Sequence, residues 1–177
     1  MKTAKDIALT GVYTALLIGA QVALSALSGI EVVTVLLLSF CYCFGIARGL
    51  AVANSFSLLR CLVFGFFPSV LILYLVYYNI FAVVSGLLGK KFKGEVKAKE
   101  LAFTLFAAVL MTVFFTVLDD IITPLYYGYT VKEAKAYAVA SVAAVIPQTV
   151  CVIITVTAVF PVLCNVFRRN FTSRLLR

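Results

Sequence analysis

The chain predicts an all-α integral membrane bundle of six transmembrane helices, with both termini in the cytoplasm. Three observations predict it. Six long apolar runs fill almost all of the 177 residues. The Lys and Arg residues between the runs alternate by side. The longest polar stretch, residues 90–100, is too short for a soluble domain, so the chain reads as a single membrane domain. Hydrophobic residues make up 64% and mean hydropathy is +1.13, far outside the soluble range. Helices are the expected spanning elements, because backbone groups in lipid must be satisfied within the segment.

The runs read as about 7–28, 30–47, 49–66, 69–89, 101–120 and 136–164, each near the ~20 residues that cross a ~30 Å hydrocarbon core. The first run carries two faces at helical period. Ala8, Gly11, Ala15, Gly19, Ala23 and Ala26 share one, and Thr10, Thr14, Gln21, Ser25 and Ser28 share the roughly opposite one. A small-residue face lets helix backbones approach closely in lipid. It therefore serves either internal packing or docking of another protein, with the polar face turned into the bundle. The run is too long for a cleavable signal and continues directly into the second.

Runs two and three are nearly fused, with their boundary placed at Arg48-Gly49. Run three carries Asn54, Ser57 and Arg60. Run four, after Pro68, carries Tyr74, Tyr77, Tyr78 and Asn79. Run five places Thr112, Thr116, Asp119 and Asp120 on one continuous face. Run six does the same with Tyr137, Ser141 and Gln148, beside Pro147. Polar and ionisable groups within spans are costly and mark functional sites by default. Run directions carry all of these except Asn54 toward the outer half, as a pocket for a small molecule would require. Arg60 has two readings: a structural ion pair with Asp119 or Asp120, or a hold on a substrate carboxylate, phosphate or carbonyl. Asn54 reads as glue between helices. The stretch 123–129, with Pro124, Gly128 and three tyrosines, reads as the longest outer loop and as a mobile aromatic lid.

The net charge of +8 is a topology signal. Lys2, Lys5, Arg48, Lys90, Lys91, Lys93, Lys97, Lys99, Arg168, Arg169, Arg174 and Arg177 fall on one side of a six-span chain. Only Lys132 and Lys135 fall on the other. The positive-inside rule makes the first side cytoplasmic. Membrane lipid, not nucleic acid, is the expected partner of this charge, with some affinity for anionic lipid.

The missing residues narrow the function. There is no His, which normally serves as the base of an intramembrane serine protease, and there are no His/Glu clusters for a metal. No phosphate-binding Walker sequence occurs. The five cysteines form no CxxC pair and read as packing residues. The expectation is therefore a binding subunit, carrier or channel-like protein, with no enzymatic activity, metal or cofactor.

Taken in order along the chain, these features resemble the substrate-binding S component of an energy-coupling factor (ECF) transporter. The resemblance covers nearly the whole length. It rests on six helices of this length and order, the basic loop before helix five, and the small-residue motif of helix one. The family's AxxxA-type docking motif corresponds to Gly11-Val12-Tyr13-Thr14-Ala15, extended by Gly19, with Gly in place of the first Ala. The stretches 39–65 and 71–91 resemble the thiamine-type members. Leu73-Tyr74 stands where those members carry an acidic residue, which argues against thiamine.

The resemblance implies a high-affinity vitamin or micronutrient binder of a prokaryotic cell membrane that cannot pump alone. Its partners would be a coupling transmembrane protein and two cytoplasmic ATPases. It implies docking through Gly11, Ala15 and Gly19. It implies substrate contacts at Glu31, Tyr74, Tyr78, Asn79, Asp119, Asp120, Tyr127 and Gln148, to which the residue reading adds Arg60. Aromatics with amide and carboxylate groups suit a flat heterocycle such as a deazapurine, a flavin or a folate-like ring. The alternative is a small autonomous secondary transporter with an Arg/Asp coupling site, against which no inverted repeat is visible. A structural or assembly protein is a third reading.

Overall fold

The computed structural model describes residues 4–26, 32–92 and 96–175, with side chains to residue 170. All regular structure among them is α-helical, in six helices: α1 Ala4–Leu24, α2 Val33–Phe44, α3 Ile46–Phe64, α4 Pro68–Lys91, α5 Ala98–Tyr127 and α6 Val131–Leu175. Five of these are long and apolar enough to cross a membrane. The chain is a multi-pass helical membrane protein.

The sixth, α2, departs from the expected span of 30–47. Its twelve residues rise about 18 Å, short of the ~30 Å of a hydrocarbon core. Eleven of the twelve are buried. A helix that is apolar all round belongs in a core, and α2 is that core: it packs on α1, α3, α4 and α6. Around it α1 packs on α3, α3 on α4, α4 on α5 and α5 on α6. Tyr13 of α1 meets Phe167 of α6 at 5.9 Å between ring centroids, which closes the circle at the basic end.

The α2–α3 break falls at Gly45, not at Arg48-Gly49. Gly45 adopts φ 84°, a conformation that side chains disfavour, so one residue makes the reversal. Gly49 is instead inside α3, where it lets Cys41 approach: a Cβ there would stand 2.6 Å from Cys41 Sγ. Gly86 and Gly89 serve α4 in the same way. A Cβ on Gly86 would meet Ile46 Cγ1 at 2.6 Å, and one on Gly89 would overlap the Tyr42 carbonyl oxygen. Small residues thus set the spacing of α4 against the α2–α3 turn.

The expected outer loop over 123–129 is also corrected. Helix α5 continues through Pro124 to Tyr127, leaving only residues 128–130 between α5 and α6. A proline this close to the helix end removes one backbone bond and does not stop the helix. Gly128, left-handed at φ 65°, ends it, with the Gly128 and Tyr129 N–H groups donating to the Pro124 carbonyl. No aromatic lid of the expected length exists. Thr130 then caps α6: the Glu133 carboxylate accepts from the Thr130 N–H at 2.7 Å and from its hydroxyl at 2.8 Å.

Helix α1 sorts its two faces as the periodicity predicts. Asp6, Thr10, Tyr13, Thr14 and Leu17 are buried. Ala8, Gly11, Ala15, Gly19, Ala23 and Ala26 are exposed. Arg48 Nε of α3 donates to Asp6 Oδ1 at 3.0 Å, and Tyr13 OH donates to the Leu36 carbonyl of α2 at 2.7 Å. These two contacts fix the rotation of α1 about its axis.

Candidate functional site

The polar residues of the spans lie in layers that climb from the middle of the bundle toward the end opposite the basic loops. Asn54 and Asn79 form the innermost layer. Asn79 Nδ2 donates to Asn54 Oδ1 at 3.0 Å, and Asn54 Nδ2 returns a bond to Asn79 Oδ1 at 2.9 Å. Each amide also donates to a carbonyl one turn back, at Leu50 and Leu75. All four N–H donors are thereby used. Asn54 is helix glue as expected, and its partner is Asn79.

Aromatic side chains make the next layers. Tyr78, Tyr74 and Phe56 form a mutual cluster with centroids 5.1 to 6.3 Å apart. Phe115 of α5 meets Tyr77 at 4.8 Å and Tyr74 at 5.9 Å, bringing α5 onto α4 at this depth. The Arg60 guanidinium lies over the Tyr74 ring at 4.4 Å and beside Phe64 at 5.2 Å. The rise from Asn54 to Arg60 is about 9 Å, and that from Asn79 to Tyr74 is about 7.5 Å, which is why the two side chains meet. Arg60 makes no ion pair with Asp119 or Asp120, and its Nε is buried without a hydrogen-bond partner among the described residues. The ion pair expected on the structural reading of Arg60 is therefore replaced by a stack on an aromatic face.

The carboxylates stand one turn further out and join α5 to α6. Asp119 accepts from Thr123 Oγ1 at 2.6 Å and from Tyr137 OH at 2.8 Å. Asp120 Oδ2 accepts from Ser141 Oγ at 2.9 Å, while its Oδ1 is buried and unpartnered. The polar faces read on runs five and six thus meet each other. Tyr127 is outermost and half exposed; Ser69 Oγ lies 3.4 Å from its hydroxyl. Gln148 is half-buried on α6, next to Pro147. Glu31 lies outside the described residues, as does Ser28.

The end of α2 completes the layout. Tyr42 of α2 packs on Phe160 of α6 at 5.1 Å. From that contact Val33 is about 14 Å outward and Gln148 about 18 Å, since both helices run the same way. The N-terminus of α2 therefore ends about a turn below Gln148. Its N-cap, Val32, offers no side-chain bond to the first turn. Beyond it, α6 changes character. Val152, Val156, Phe160 and Cys164 are buried at four-residue spacing against the core, whereas no residue of 131–151 is buried.

Two features escape a reading of the sequence. The Asp6–Arg48 pair joins residues 42 positions apart, and the only signal was an acid on the polar face of α1 one turn before Thr10. Thr123 takes part through Asp119, which it follows by one turn.

Comparison with known proteins adds nothing to this geometry: no family model matches the chain, and no curated protein or solved structure matches it. Fold and site define a helical, multi-pass membrane protein with a layered polar and aromatic half.

Proposed function

We propose that the chain is the membrane-embedded, solute-binding subunit of an ECF-type importer in a prokaryotic cell membrane, taking up a vitamin or related micronutrient. The observation that carries this reading is the state of α1. Its polar face is fastened inward by Asp6–Arg48 and Tyr13–Leu36, and its small-residue face is left uncovered. Nothing stands within 4 Å of a Cβ placed on Gly11 or Gly19. Internal packing, the competing use of such a face, is not what this stripe does. A flat lane of small residues bordered by exposed Ile7, Val12, Leu16 and Val22 suits a second apolar helix. Gly11, Ala15 and Gly19 are thus the residues through which a coupling transmembrane protein, bearing two cytoplasmic ATPases, would dock.

The solute site of this proposal lies between the α2 N-terminus and the Asp119 layer. Tyr74 and Tyr78 supply aromatic faces for a flat heterocycle. Gln148 supplies an amide, Asp120 Oδ1 an unused acceptor and Arg60 Nε an unused donor. Tyr127 belongs to the mouth, and the contact expected at Glu31 lies outside the described residues. Asn79 borders the site from below, its amide already committed to Asn54. The basic end is cytoplasmic by the positive-inside rule. The carrier alternative would use Arg60 and the Asp119/Asp120 pair as an ion- or proton-coupling site, and the uptake test below separates the two readings.

The test is uptake into proteoliposomes. Chain reconstituted alone should bind a labelled vitamin at its open face and accumulate none in the lumen. Accumulation driven by an ion or proton gradient with this chain alone would overturn the proposal in favour of a secondary carrier.

A further inference from the structure

A groove of ≈ 480 Å³ runs along the α5–α6 hairpin. Ile121, Pro124, Leu125, Val131, Ala134 and Ala138 make its apolar walls, and Tyr129 and Lys135 are its polar side chains. Two properties identify an occupant. First, both polar side chains are donors, and no acidic side chain lines the groove; nearby Glu133 is turned back onto Thr130. Second, the groove is polarised along the membrane normal. Tyr129 lies in the 128–130 connection with the tyrosine cluster 126, 127 and 129, and Lys135 lies one turn into α6, from where its long side chain can reach back to that level, while Ile121 and Ala138 lie deeper. Aromatic clusters of this kind mark the boundary between lipid and water. An occupant must therefore carry an anionic group at the boundary and an apolar chain reaching inward. Leu125 and Val131 are 80% and 74% exposed, so no other part of the described chain covers these two side chains.

We infer that this groove is a binding site for one anionic phospholipid, its phosphate on Lys135 and Tyr129 and an acyl chain along Ile121, Leu125 and Ala138. The inference does not rest on the solute-binding role and would hold for any membrane protein with this hairpin.

The chain has no Trp, so a single introduced Trp reports its own surroundings. Leu125→Trp and, as a second placement, Val131→Trp put the reporter on the groove. Val113→Trp, exposed on α5 away from it, serves as reference. Each protein is reconstituted in phosphatidylcholine, and quenching by brominated-acyl phosphatidylglycerol is compared with quenching by brominated-acyl phosphatidylcholine. One lysine at a membrane surface is worth roughly a five-fold preference for anionic lipid. The groove reporters should show about that preference, and the position-113 reporter a ratio near one. Adding Lys135→Gln should bring the groove reporters to near one. A ratio near one with Lys135 present, or a preference that survives Lys135→Gln, overturns the assignment. So does a groove reporter that neither lipid quenches, which would mean that protein and not lipid covers the site.

Discussion

A double-mutant cycle across the outer half decides whether Arg60 is bound up in the structure or free to meet a solute. The two readings of Arg60 place the same residues in different partnerships. In the structure Asp119 is held by Tyr137 at 2.8 Å and Thr123 at 2.6 Å, and Arg60 lies on Tyr74 instead. Hydrogen bonds to a charged acceptor contribute about 1.5–3 kcal/mol in general. Bonds between membrane helices average about 0.6 kcal/mol and reach about 1.7 kcal/mol, because the unfolded chain in a membrane also finds partners. Asp119 is half-buried two turns before the end of α5, so the Asp119–Tyr137 coupling should be about 1 kcal/mol, roughly five-fold in the unfolding equilibrium. The Arg60–Tyr74 stack should couple by about 1–2 kcal/mol if desolvated. Arg60 and Asp119 share no partner and should be additive within about 0.5 kcal/mol. The assay is reversible unfolding in mixed micelles of Asp119→Asn, Tyr137→Phe, Arg60→Ala, Tyr74→Leu and the matching doubles. An Arg60–Asp119 coupling of ~1 kcal/mol or more, with Asp119–Tyr137 near zero, would refute this layout and restore the ion pair.

Other perturbations test other parts. Gly89→Ala should destabilise by about 1–3 kcal/mol or more, because its methyl would overlap the Tyr42 carbonyl. Gly11→Ala and Gly19→Ala, with open space around them, should be neutral or stabilise by up to ~1 kcal/mol through helix propensity; thermal melts in detergent compare the three. Asn54→Leu or Asn79→Leu alone should cost about 1–3 kcal/mol by stranding the other amide, and the double should recover much of it. Ala15→Trp should leave the melting temperature and solute affinity near the parent values while abolishing uptake by the complete transporter. A loss of folding in that variant would instead show that the face packs internally.

The architecture was legible where a single helix carries its own signal. The two faces of α1 follow from a period of ~100° per residue: the structure buries Thr10 and Thr14 and leaves the small residues exposed, whereas Ser25, expected on the inward face, is exposed past the helix end. The Thr112–Asp120 and Tyr137–Gln148 faces were visible for the same reason, and the Asp119 and Asp120 bonds to Tyr137 and Ser141 join them. Illegible features depend on partners far apart in the chain. A continuous apolar run does not reveal that α2 is short and central, because burial on all sides and exposure to lipid select the same residues. The pairing of Asp6 with Arg48 and of Asn54 with Asn79 depends on helix order, not on spacing. Pro124 misled for a local reason: Pro, Gly and tyrosines together resemble a turn, yet a proline three residues before the helix end costs only one bond. Of the two readings of Arg60, the ion pair does not form: a charge in a span invites an opposite charge, but an aromatic face also serves.

The central claim is that the layered half of the bundle holds a small solute. Native mass spectrometry of the protein purified from cells in rich medium tests it most directly. The account predicts one non-lipid adduct of a few hundred daltons per chain, retained after the lipids are stripped and lost in Gln148→Ala and Gln148→Leu variants that melt like the parent. A parent chain that carries no such adduct, or one that keeps it through both substitutions, would contradict the account.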